Sequence, residues 1–287
     1  MLLLSLILVH LIADFYLQSD EMVKDKMKTL NKHIFHHIFV NGLVLTVFYL
    51  INFNEMSIYT NLIFPLLFIV ISHYFIDILK IKLLDIIKIS IEENLKRVSF
   101  FLIDQLLHLV CILLAGQLFL GFDLGGILDF FQHKDRPGTV NAVLFTVIII
   151  IFATSVSGHM IKILLGSLPN QLLTFEGKFT FKNERQEAQY AKNHIGNRAV
   201  SEEYNYTVFS KHDLSRGKLI GYIERLLVLV LTFYSAYPAI GFIVAAKSIA
   251  RFKQMDDRNW AEYFLLGTLS SMFIGITLGI LLREVLT

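Results

Sequence analysis

Cysteine is nearly absent from this sequence: Cys111 stands alone among 287 residues, so no internal disulfide can form. Proline occurs only 4 times, which excludes a collagen-like, low-complexity or disordered chain. Charge is scarce as well. Charged residues make up 17%, against about 25% in a soluble domain. The net charge of +2 is too near neutral to suggest a nucleic-acid partner, and none is expected. HExxH, the Gly-x-Ser-x-Gly nucleophile elbow, the P-loop and the dinucleotide fingerprint are all missing.

Apolar residues fill the space that charge leaves. They reach 55% of the chain, with 25 Phe, and the mean hydropathy is +0.59. A membrane span needs about 20 mostly apolar residues. Five stretches meet or approach this: 1–17, 33–52, 58–80, 99–121 and 139–165. After a polar insert, 219–236 is apolar, Tyr237–Pro238 interrupts it, 239–250 is short, and 261–282 makes the last span. The fold class expected is an all-α polytopic transmembrane bundle of about seven to eight segments. The N-terminal stretch lacks a basic region and a small-residue cleavage site, and it carries His10 and Asp14, so it reads as a retained span.

Lys and Arg concentrate in 18–32, 80–98, 162–218 and 247–258, which together hold 22 of the 26 basic residues. The loop 52–57 has none and 122–138 has two. This alternation predicts an external N-terminus, with 219–250 folded out and back at Pro238. The chain then divides into a four-helix core at 1–121, a loop and fifth span at 122–165, a polar cytoplasmic insert at 166–216, and a C-terminal hairpin and last span at 217–287. Within the insert, 174–181 alternates like a short hairpin and 183–194 reads as a polar helix.

Ionisable residues inside spans are costly and point to function. Here they pair at a spacing of four: His10 with Asp14, His73 with Asp77, and Asp104 with His108. Residues four apart share one helix face. About one such His/Asp spacing is expected by chance, and Asp129/His133, in a polar loop, serves as that example. The second span adds His33, His36 and His37, of which His36 is the preferred candidate. In the expected orientation all of these groups lie near the cytoplasmic ends of spans one to four. Imidazole and carboxylate together suit zinc, manganese or iron, and helical bundles build metal sites from such facing groups. The expected ligands are His10, Asp14 and His36 from the first hairpin, and His73, Asp77, Asp104 and His108 from the second. Gln18 and Arg225 are candidates for holding an anionic or headgroup-bearing substrate. A hydrogen-bonded structural network is the competing account of the same pairs.

HLIADFYLQ at 10–18, HYFID at 73–77 and DQLLH at 104–108 resemble the bacterial family known as domain of unknown function 3307. GKLIGYIERLLVL at 217–229, AIGFIVAAKSIARF at 239–252 and AEYFLLGTLSS at 261–271 are similar to the C-terminal part of its longer members. The resemblance implies a bacterial cytoplasmic-membrane protein among membrane lipids and implies no catalytic assignment. Three readings stay open at this point. The first is a metal-dependent hydrolase of an amphiphilic or phosphate-bearing substrate. The second is a proton or metal-ion transporter. The third is a scaffold or sensor whose insert, 166–216, binds a cytoplasmic partner.

Overall fold

The computed structural model describes residues 1–19, 22, 26–54, 56–90, 93–123, 125, 136–166, 211–252, 255–256 and 258–287, the side chains of 211–216 excepted. The expected hairpin at 174–181, the polar helix at 183–194 and the Asp129/His133 pair lie outside these residues, as does most of the insert.

Among the described residues the chain is helical: α1 (Leu2–Leu17), α2 (Lys26–Ile51), α3 (Tyr59–Ile87), α4 (Asn94–Phe119), α5 (Thr139–Leu165), α6 (Lys211–Phe233), α7 (Tyr237–Ala250) and α8 (Arg258–Leu286). Five of them, α2, α3, α4, α5 and α8, are long and apolar enough to cross a membrane. The chain is thus a multi-pass helical membrane bundle. α1 and α7 are apolar but shorter. At about 1.5 Å per residue neither matches a hydrocarbon layer of about 30 Å. α2, α3 and α4 run past their apolar windows into the lysine-bearing turns at 26–32, 81–87 and 94–98. A long aliphatic stem lets such lysines reach the interface while the helix continues.

Three helices contain a π turn: Ala13–Leu17 in α1, Tyr59–Ile63 in α3 and Phe152–Val156 in α5. Such turns widen the helix by one residue and leave carbonyls less well paired. The break before α7 follows from local chemistry. Ser235 is left-handed at φ 57°, the Ala236 N–H donates back to Leu231 O at 2.8 Å, and Pro238 opens α7 where its missing N–H costs nothing.

Helices α1 to α4 form one bundle, α1 packing on α2 and α4, α2 on α3, and α3 on α4. Its core is layered by a four-residue period. Leu2, Leu6, Leu45, Ile69, Ile112 and Ala115 close one end as an apolar cluster. Continuing along the same faces brings in His10, His33, His37, His73, Asp77, Asp104 and His108, all buried. The bundle therefore has a dry end and a polar end. α5 packs on α1 and α4 on one side and on α6 and α8 on the other, joining the two halves.

The α6–α8 contact depends on two glycines. A Cβ on Gly275 would meet Val228 Cγ1 at 2.9 Å, and one on Gly279 would meet Thr232 Cβ at 2.6 Å and Leu229 O at 2.9 Å. This Gly-x-x-x-Gly spacing lets two backbones approach in lipid, where dispersion replaces the hydrophobic effect between helices. In the loop before α4, Glu93 accepts from Lys96 Nζ and from the Ser90 N–H. The Lys96 ammonium holds its carboxyl below the ordinary value.

Candidate metal centre

Four elements bring their ionisable side chains to one level. α1 contributes His10 and, from its π turn, Asp14. α2 contributes His33 and His37, with Asn41 one turn further in. α3 contributes His73 and Asp77, and α4 contributes Asp104 and His108. Potential ligand atoms fall into three groups, each within 4.8 Å of one another: His10, Asp14, His37 and His73; His33, His73 and Asp77; and Asp77, Asp104 and His108.

The first group is a four-donor set. Its Asp14 carboxylate lies 2.9 Å from His37 Nε2, 3.8 Å from His10 Nε2 and 4.0 Å from His73 Nε2. Two donors on one tetrahedral ion, with bonds of 2.0–2.1 Å, stand about 3.4 Å apart. The measured separations straddle that value. The second group is tighter. His33 Nε2 and His73 Nε2 are 3.1 Å apart, and Asp77 Oδ2 lies 3.6 Å and 3.5 Å from them. His33 Nε2 is also 3.5 Å from Asp14 Oδ1, so it stands between the two carboxylates.

Many of these atoms lack hydrogen-bond partners. His10 Nε2, His33 Nδ1, His37 Nδ1, Asp77 Oδ2, Asp104 Oδ1 and both ring nitrogens of His108 are buried and unbonded. A buried polar atom left unpaired costs about 1–3 kcal/mol, so this concentration calls for a compensating ligand. A divalent cation fits the donor set, being made of neutral imidazole and carboxylate.

The carboxylates are held from outside. Lys26 Nζ donates to Asp77 Oδ1 and Lys80 Nζ to Asp104 Oδ2, each at 2.5 Å. Gln105 Nε2 donates to Asp14 Oδ2 at 3.0 Å. Each outer partner takes one oxygen, and the other oxygens of Asp14 and Asp77 lie 3.5 and 3.6 Å from His33 Nε2. Outer-shell bonds of this kind orient metal-ligating carboxylates.

Six of the seven expected ligands are in the cluster: His10, Asp14, His73, Asp77, Asp104 and His108. His36 is not. The face carrying 33, 37, 41 and 45 turns inward, which leaves His36 half-exposed and reverses the expected order among the three histidines. Gln18 ends the π turn in extended backbone, half-buried, beyond the last ligand-bearing turn. Arg225 is elsewhere in the fold. Buried on α6, it donates from Nε to Ala153 O at 2.5 Å and from Nη2 to Thr154 O at 3.3 Å. Two of its donors are thus taken by carbonyls of the α5 π turn, away from the ligand cluster. Its neighbour Glu224 pairs with Lys247 at 2.6 Å. His159 meets the rings of Phe15 and Phe101 and lies outside the ligand groups.

Sequence reasoning passed over Lys26, Lys80, Gln105 and Asn41. A signal existed for Asn41, which continues the four-residue period of His33 and His37. None existed for the lysines, whose partners are on other helices.

The fold and the cluster define a multi-pass helical membrane protein with a buried, ligand-rich polar centre at one end of a four-helix core. Residues 2–125 match the family described as "Protein of unknown function (DUF3307)". That match covers α1 to α4 and every residue of the cluster. The C-terminal stretches from 217 onward lie outside it. No curated protein and no solved structure matches the chain.

Proposed function

We propose that this chain binds a divalent metal ion at His10, Asp14, His37 and His73 and uses it to hydrolyse an amphiphilic, phosphate-bearing substrate. The observation that carries the reading is the gathering of eight His and Asp side chains into three groups of ligand atoms, among which His10 Nε2, Asp77 Oδ2, Asp104 Oδ1 and both nitrogens of His108 have no hydrogen-bond partner. Such an ion would supply Lewis acidity and a water activated near neutral pH. His33, whose Nε2 lies within 3.6 Å of both Asp14 and Asp77, is suited to carry a proton between water and leaving group. Lys26 and Lys80, with side chains about one-fifth exposed, line the side from which an anionic headgroup would approach. Gln105 fixes the Asp14 carboxylate.

The apolar layer of Leu6, Leu45, Ile69 and Ile112 supports a centre reached from one end over an ion pathway, because a pathway needs polar groups through the full depth. The lysines around 26–32 and 80–97 support a cytoplasmic location for that end, in a bacterial inner membrane.

Elemental analysis of the detergent-purified protein beside His37→Ala tests the metal. At least one equivalent of zinc, manganese or iron is expected in the wild type, with a loss in the variant. Both proteins are then assayed for phosphate release from phosphate-bearing amphiphiles, expected only from the wild type. A wild type that stays metal-free after reloading sinks the reading.

A further inference from the structure

The third ligand group shares no residue with the first. Asp77, Asp104 and His108 come from α3 and α4, while His10, Asp14, His37 and His73 are gathered from α1, α2 and α3. His108 is almost fully buried, and neither of its ring nitrogens has a hydrogen-bond partner. Asp77 Oδ2 and Asp104 Oδ1 are buried and unbonded too.

The lysines do not account for these atoms. Lys26 and Lys80 take the outer oxygens, Asp77 Oδ1 and Asp104 Oδ2. The other oxygens and the imidazole remain without a hydrogen-bond partner, and one ligand atom from each of the three side chains lies within 4.8 Å of the others. A hydrogen-bonded network would join the imidazole to a carboxylate directly. A cation between them satisfies imidazole and carboxylates together, and the lysine bonds then hold each carboxylate by its other oxygen.

We propose that Asp77, Asp104 and His108 form a second divalent-cation site, making the centre binuclear. The inference rests on the metal reading of the first group. The two loci are joined through His33 and His73, which meet Asp14 on one side and Asp77 on the other. Two divalent ions outweigh three carboxylates that two lysines already offset. The pair of ions therefore favours an anionic ligand across it, such as the phosphate diester or monoester of a lipid headgroup.

The test is zinc stoichiometry on the full-length, detergent-purified chain after reloading and gel filtration. Two equivalents are expected in the wild type and one in His108→Ala. Asp104→Asn, which keeps the side-chain shape, guards against a misfolded His108→Ala and is also expected to hold one. Inorganic phosphate, used as the probe, should bind the wild type and be weakened at least tenfold in both variants. A wild type with one equivalent, unchanged in both variants, overturns the second site and leaves the first standing. Two equivalents retained in both variants also overturn it, since the second ion would then lie elsewhere. No ion in both variants, against two in the wild type, overturns the idea of two separable loci. No ion in the wild type fails the metal reading itself.

Discussion

The N-terminal and C-terminal halves bury polar groups in different ways. In α6 and α8 the buried charged groups have partners on neighbouring helices: Arg225 donates to carbonyls of the α5 π turn and one oxygen of Glu224 accepts from Lys247, while Glu224 Oε1 and the hydroxyls of Thr232, Thr268 and Ser271 stay unbonded. The remaining contact is a seam of small residues around Gly275 and Gly279. In α1 to α4 each carboxylate is held from outside, and the imidazoles between them keep unbonded nitrogens. Paired charge is what a bundle needs to hold together. Buried atoms without partners occur in both halves, but among the described residues only α1 to α4 gather imidazole and carboxylate atoms into ligand groups, which marks that half as the candidate centre.

The comparison breaks most visibly at His73, which belongs to two ligand groups. His73→Ala should lose at least one full equivalent of metal while the α6–α8 seam stays intact. Elemental analysis together with cross-linking of cysteines placed across that seam checks both halves. An unchanged metal content would remove the distinction. Gly279→Val attacks the other half. Its Cβ would press on Thr232 and on the Leu229 carbonyl, at a cost of about 1–3 kcal/mol. Thermal unfolding should fall while metal content per folded molecule holds. Arg225→Met removes two hydrogen bonds from a charged donor, at a cost of about 1.5–3 kcal/mol, although the Ala153 carbonyl keeps the Ser157 hydroxyl at 2.7 Å. Again no metal should be lost; if Arg225 served the centre, it would be.

Gln105→Leu is subtler. It frees Asp14 Oδ2, and metal affinity should weaken by about 10–100-fold, the usual effect of losing an outer-shell partner. A competition titration with a chelator reads this directly. His36→Ala should change neither affinity nor stoichiometry. A loss there would return His36 to the centre and contradict the register of α2.

Much of this was legible from residue spacing alone. The His-x-x-x-Asp and Asp-x-x-x-His pairs located α1, α3 and α4 of the site, because a pair on one helix face is visible without knowing the neighbours. α2 was harder. Three histidines within five residues leave its rotation open, and only packing against α1 and α3 selects 33 and 37 over 36. Arg225 was hard to place for a related reason. An arginine in an apolar run looks free to bind a ligand until the π turn that absorbs it is known. The helix ends were underestimated too, since hydropathy stops at the interface while helical hydrogen bonding runs on through the lysines.

The apolar layer beneath the centre has an electrical consequence. A voltage across the membrane falls through the low-dielectric part of the protein, and here that part is the stack of Leu6, Leu45, Ile69 and Ile112. A full elementary charge moved across 100 mV gains about 2.3 kcal/mol, and groups on the polar side of the stack are spared the part of that drop which falls across it. On the proposed reading, protons and ions at the centre exchange with the compartment at its polar end. Chemistry at this centre should follow the composition of that compartment and ignore the energised state of the membrane around it.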